Sequence, residues 1–175
     1  MSKALIIDGQ AIAASVTEEI AARAARLESE TGVKPGLAVV IVGEDPASQV
    51  YVRNKGRTAK ACGFNSVTHT LPVDVSEEEL LSLVASLNED DTIHGILVQL
   101  PLPKHINENK VLDLIKPEKD VDGFHPINVG LLGSGSADRA LVPCTPAGSV
   151  LLAKKKPLAI TFPARVLSLL ADPTL

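Results

Sequence analysis

The feature that most limits what this chain can fold into is an alternation of periods. Segments with apolar residues at helical spacing take turns with short apolar runs of strand length, from residue 10 to about residue 153. Gln10–Thr31 reads as a helix that stops at Gly32, a residue suited to the left-handed turn that ends helices. Leu37–Val42 follows as a strand. Pro46–Cys62 reads as a second helix, closed by Gly63, and Asn65–Thr70 as a second strand. In SEEE, Ser76–Glu79, the serine oxygen and the Glu79 carboxylate are placed to satisfy free amides as a capping box, opening a helix that runs to about Asn88. Ile93–Leu100 is apolar on both pleat faces, the pattern of a parallel strand covered by helices on each side. The expectation is an α/β fold, three-layer α/β/α with a mostly parallel sheet, over residues 1–153.

Composition narrows the function classes. A chain of 175 residues with 45% hydrophobic and 22% charged side chains has material for one core, or one core and a fragment of a second, which excludes disorder and fibre. Only 2% of residues are aromatic, so no row of rings is available for stacking successive bases, and a net charge of −4 lacks the basic footprint that phosphates demand. Nucleic acid is therefore not an expected partner. The opening MSKALIIDGQ has too short an apolar run for a secretion signal, and no later run reaches the roughly 20 residues that span a bilayer. A soluble, cytoplasmic chain with no membrane partner is expected. Cys62 and Cys144 are far apart and outside any CxxC pair, and both read as reduced thiols.

Ligands of such sheets sit beyond the carboxyl ends of the strands, so chemistry is sought there. On the helix ASQVYVRNKGRTAKAC, Ser48, Tyr51 and Lys55 fall within an arc of roughly 60° at 3.6 residues per turn, shared with Val52, Ala59 and Cys62. Arg53, Arg57 and Lys60 lie opposite. Lys55 is thus a cation on an apolar face, where partial burial lowers the pKa of an ammonium toward values useful for proton transfer. The competing reading lays its methylenes along the core and its amine in water, and geometry alone leans that way. Tyr51, the single tyrosine, is either a packed ring or a platform.

Gln99 ends the apolar strand just before PLP, where its amide either binds a ligand or ties down its own loop. In KDVDGFHP, Lys119–Pro126, Asp120 and Asp122 stand two residues apart without the glutamate that completes a calcium loop, so no metal is expected. Asp122 before Gly123 is either a turn former or an acceptor for an amine-bearing heterocycle. PCTPAGS, Pro143–Ser149, reads as a helix start with Thr145 as N-cap and Pro146 at the first helical position. Cys144 has no base beside it in sequence and is a poor nucleophile. The four histidines are scattered and take structural or surface roles. Gly133 and Gly135 begin a GxG, but Asp138 stands where a dinucleotide fingerprint needs its third glycine.

Four motifs in order, SQVYVRNK, GILVQLPLP, PEKDVDGFHPINVG and PCTP, resemble the bifunctional methylenetetrahydrofolate dehydrogenase and methenyltetrahydrofolate cyclohydrolase family over roughly residues 4–153. The resemblance implies a folate-binding domain whose cleft is completed by a second, NADP-binding Rossmann domain. It implies tetrahydrofolate derivatives as partners, NADP as the family's cofactor, and a family homodimer formed by the other domain. By the same resemblance Lys55 is the catalytic lysine, Gln99 assists it, Tyr51 stacks on the folate, Asp122 hydrogen-bonds the pterin and Ser48 lines the site. These roles reverse the bland reading of Lys55.

The resemblance stops after LLAKK. Where the family continues into a strand and a glycine-containing nucleotide loop, this chain reads KPLAITFPARVLSLLADPTL. Residues 154–175 are therefore expected to be a divergent tail in place of the Rossmann domain, as after a deletion or a shifted reading frame. The NADP site is expected to be missing from this chain, and with it the dehydrogenase half of the activity. Loss of a covering domain also predicts exposed apolar surface and poor solubility.

Overall fold

The computed structural model describes residues 6–155. The tail expected over residues 154–175 thus lies almost wholly outside the described residues. Helix α1 (Gly9–Thr31) starts where the Asp8 carboxylate accepts from Ala11 N and ends on Gly32, at φ 73°. Strand β1 (Gly36–Val42), helix α2 (Pro46–Ala61), strand β2 (Asn65–Leu71) and helix α3 (Glu77–Glu89) follow within a residue or so of the pattern.

Strand β3 is shorter than its apolar run, Gly95–Val98. Ile93 N bonds to Asp90 O in a tight turn, so Ile93 is buried without being paired, and at the far end the prolines after Leu100 turn the chain away. The ladder nonetheless extends one bond each way, His94 N to Gly36 O at 2.9 Å and Gln99 N to Val40 O at 2.8 Å. Among the described residues the sheet has three strands, order β2-β1-β3, all parallel.

Because side chains alternate across a strand, β1 feeds two cores at once. Ala38, Val40 and Val42 join Ile96 and Val98 of β3 under α3 and helix α4 (Glu108–Leu114), with Leu80, Val84 and Val111 fully buried. Val39 and Ile41 join Leu97 and Val52 on the α2 side. That is the three-layer arrangement. The outer edge of β3 is covered by a loop, Ile96 bridging Asp120 in parallel, and Gly95 leaves room there for Val121.

Two local expectations change. Ser76 caps α3 by accepting from Glu79 N at 3.1 Å, but no reciprocal bond from Ser76 N to the Glu79 carboxylate occurs among the described residues. Glu77 is engaged instead, accepting from Asn107 N and from Lys110 Nζ, each at 2.7 Å, which ties α3 to the start of α4. That lysine contact holds the Glu77 carboxyl below its usual range. The chain then passes through a 3₁₀ turn (Pro117–Lys119), helix α5 (Pro126–Gly133) and a second 3₁₀ turn (Ala137–Arg139) to helix α6 (Cys144–Lys155). Helix α6 therefore starts before Thr145, and Ala147 N already bonds to Pro143 O. Pro146 fits inside this first turn because the amides there have no intrahelical partner to lose. No described helix is long and apolar enough to cross a membrane.

Candidate active site

An open cleft of about 890 Å³ lies beyond the carboxyl end of β3, walled by α2, the segment after β3, the 121–124 loop and the start of α6. It brings together Tyr51, Lys55, Gln99 and Asp122 with Asn54, Phe124 and Cys144. Two smaller depressions, of about 500 and 540 Å³, lie on the other side of α2 and against α1, and contain none of these residues.

Helix α2 is aligned by its N-cap. The Asp45 carboxylate accepts from Ser48 N at 2.7 Å, and those bonds from Ser48 hold the Asp45 carboxyl below its usual range. Ser48, Val52 and Gly56 form the buried stripe against the sheet, which rolls Lys55 and Tyr51 to the cleft side. Gly56 sits close over Ser66 and Thr68 of β2. Ser48 itself is buried under the first turn and is not among the cleft-lining residues. Tyr51 presents its ring with 63% exposure, an open face rather than a packed one.

Lys55 is half-buried and its Nζ donates to Gln99 Oε1 at 3.3 Å. The other end of the same amide, Nε2, donates to Leu100 O at 2.8 Å. Gln99 thus ties its own loop and holds the lysine. Asp122 shares the cleft but makes no ion pair with Lys55. Burial pushes the Asp122 carboxyl up, the Lys55 charge opposes that, and the Asp120 charge adds to it. The Cys144 thiol is also pushed up, by burial first and by the Asp122 charge second, and its Sγ donates to Val121 O at 3.4 Å. A thiol so placed is a poor source of thiolate.

Three of the four histidines serve the backbone. His94 Nδ1 accepts from Gly36 N at 3.0 Å, His105 Nε2 lies 2.8 Å from Val75 O, and His125 Nδ1 accepts from Ile127 N at 3.1 Å, capping α5.

Three comparisons agree on what this architecture belongs to. The family model for the catalytic domain of tetrahydrofolate dehydrogenase/cyclohydrolase matches residues 7–122. The bifunctional protein FolD of Chelativorans is 63% identical over 147 residues, 84% of this chain and 49% of the relative. FolD 1 of Mesorhizobium japonicum is 59% identical over 150 residues, 86% of this chain and 50% of its own length. The chain belongs to the tetrahydrofolate dehydrogenase/cyclohydrolase family. Among solved structures, the bifunctional FolD of Campylobacter jejuni superposes with a TM-score of 0.83 at 45% identity, over 86% of this chain and 53% of that one. The Trypanosoma brucei dehydrogenase-cyclohydrolase, solved with NADP cofactor and inhibitor, gives 0.86 at 42%, over 91% and 54%. The chain spans about half the length of the curated relatives it matches.

Between β1 and α2 the chain carries a single glycine, Gly43, rather than a glycine-rich run. Gly133 and Gly135 follow the end of α5, not of a strand, with Gly135 at φ 84° in a turn. Sequence reasoning passed over Phe124 and Cys144 as cleft residues. Phe124 was findable as one of only three phenylalanines, next to a glycine in the acidic loop. Cys144 carried only its place in PCTP, because its position in the cleft depends on how the 141–143 segment crosses Gly123.

Proposed function

We propose that this chain is the tetrahydrofolate-binding, hydrolytic half of a FolD-type enzyme, which opens 5,10-methenyltetrahydrofolate to 10-formyltetrahydrofolate. The observation that carries the reading is the Lys55 Nζ to Gln99 Oε1 contact, made inside a cleft that also holds Tyr51 and Asp122. In this reading Tyr51 stacks on the folate and Asp122 hydrogen-bonds the pterin. Ser48 underpins the helix turn that aims them. Water adds to the methenyl carbon and gives its proton to the Lys55 amine. The carbon–nitrogen bond on the pterin side then breaks as the Lys55 ammonium returns that proton to the departing nitrogen and the added hydroxyl releases its remaining proton to solvent, leaving the formyl group on the other nitrogen. Gln99 holds the amine in place through both transfers. The soluble character and cytoplasmic location expected from the sequence belong to the same reading.

In this reading the family's other step, NADP-dependent oxidation of 5,10-methylenetetrahydrofolate, is not assigned to the described residues, among which Gly133 and Gly135 come at the end of a helix and not of a strand. The same observation favours a second reading, a fragment that binds folate weakly and turns nothing over. Following the decay of methenyltetrahydrofolate absorbance separates the two. Turnover by purified chain that disappears in Lys55→Ala supports hydrolysis. Equal, buffer-level decay for both leaves the second reading standing. NADP-dependent oxidation by purified chain would overturn the assignment of roles.

A further inference from the structure

The acidic loop contains a carboxylate that the proposed chemistry does not use. Asp120 is 2% exposed and has no cation in ion-pair contact among the described residues, an expensive way to bury a charge. Its Oδ2 accepts from His125 N at 2.8 Å and from Asn128 Nδ2 at 3.0 Å. Asn128, 3% exposed, has every other polar position engaged as well: Nδ2 also donates to Pro117 O at 2.8 Å, and Oδ1 accepts from Leu141 N at 3.2 Å. One amide therefore joins the turn before the acidic loop, the loop itself and the segment that leads to Cys144. Between these ties Gly123 N bonds to Asp120 O at 3.1 Å, closing a tight turn with Asp122 near its tip. The N-terminal flank is fixed because Asp120 bridges Ile96 of β3 and Val121 packs in the space left by Gly95, and the C-terminal flank because His125 N is held by Asp120 Oδ2.

We propose that Asp120 and Asn128 are positioning residues of the tetrahydrofolate site, a buried latch that fixes the Asp122 carboxyl in the cleft and sets the wall formed by Pro143–Cys144 against it. This rests on the proposed function for its ligand, but not for its geometry. A loop tip held at both flanks loses little freedom when ligand binds, so the latch acts on affinity chiefly through Asp122. A latch of merely structural importance would lower stability everywhere and would not care whether residue 122 is a carboxylate.

The test combines a double-mutant cycle with amide exchange on the full chain. The probe is 5-formyltetrahydrofolate. Asn128→Leu, near in size but without hydrogen bonds, is expected to weaken binding roughly tenfold, and by less than about twofold when Asp122→Asn is already present, as for residues that act through one network. Exchange at the amides of Gly123 and His125 is expected to quicken, with β1 amides unchanged. If Asn128→Leu does not fold, Asn128→Ser is measured in its place. Equal losses with and without the Asp122 carboxylate would overturn the proposal, and so would unchanged exchange at Gly123 and His125. A wild-type chain that binds no probe overturns the proposed function instead. Exchange then decides the latch by itself, local quickening upholding it and its absence refuting it.

Discussion

Lys55 Nζ stands 3.3 Å from Gln99 Oε1 while Gln99 Nε2 is anchored 2.8 Å from Leu100 O, so the amine is fixed to the end of β3 through a single side chain. Gln99→Leu keeps the volume and removes both bonds. The freed lysine samples more rotamers, and hydrolysis of methenyltetrahydrofolate is expected to fall about tenfold in kcat with KM nearly unchanged, because orientation rather than binding is lost. Leu100 O also loses its donor, which costs about 1 kcal/mol of stability. Steady-state kinetics alongside a urea melt checks both numbers, and a change confined to KM would count against the assigned role.

Asp122 gives a prediction with a definite pH sign. Burial raises its carboxyl above the ordinary carboxylate range in the folded state. A raised acid is favoured in its protonated form by folding. Its contribution is therefore fully present below the unfolded value near 3.9 and is lost as pH rises through the folded value. Asp122→Asn removes the charge that the fold tolerates poorly at neutral pH. The unfolding temperature is expected to rise by about 2 °C at pH 7 and to stay level with wild type at pH 3. Affinity for 5-formyltetrahydrofolate should drop in the same variant, the usual exchange of stability for a working site. A variant that melts lower at pH 7 would contradict this.

The elements that were legible in sequence are those whose period was set by burial on both sides. The β1 run, Leu37 to Val42, is apolar because each face meets a different helical layer, and its bounds came out within a residue. For β3 the same signal overran, since Ile93 and Leu100 are apolar for packing in turns and not for pairing. Lys55 was visible as a cation on the wrong face of α2, and Gln99 as an amide at a strand end. What joins them to Asp122 was not. Two crossovers and a loop bridge set that distance, and neither periodicity nor spacing records a bridge such as Ile96 to Asp120. The capping box half-failed for a related reason: the glutamate that matters, Glu77, is recruited by α4 from elsewhere in the chain.

Gly123 decides the shape of the cleft wall. It sits at φ 68°, and a Cβ there would lie 2.6 Å from Leu141 O and 2.7 Å from Pro143 N. Neither neighbour is the far end of a flexible side chain, so the 141–143 segment has to move as backbone. Gly123→Ala is expected to cost about 2–4 kcal/mol, combining left-handed strain with overpacking. Gly133→Ala is the control, because nothing lies within 4 Å of its added methyl. It should melt within about 0.5 kcal/mol of wild type. Equal stability of the two variants would show that the crossing at Gly123 is not as close as described.

Cys144 offers a chemical readout of the cleft without any folate assay. Burial and the neighbouring Asp122 charge both push its thiol up, so less thiolate is present at pH 7 than on a free cysteine. Alkylation by iodoacetamide is expected to run several-fold slower than for glutathione at pH 7 and to gain speed through pH 9 and beyond. The raised carboxyl next door sharpens the test. In Asp122→Asn that negative neighbour is gone, the thiolate is less disfavoured, and the rate at pH 7–8 should increase over wild type. Cys62, buried and placed with its Sγ 3.7 Å from Thr17 O, should react more slowly still, so mass mapping of the labelled chain assigns the fast site. Once Cys144 is carbamidomethylated, the added group occupies the cleft beside Lys55, and binding of 5-formyltetrahydrofolate should be lost. Full binding by the labelled chain would place the ligand away from this wall.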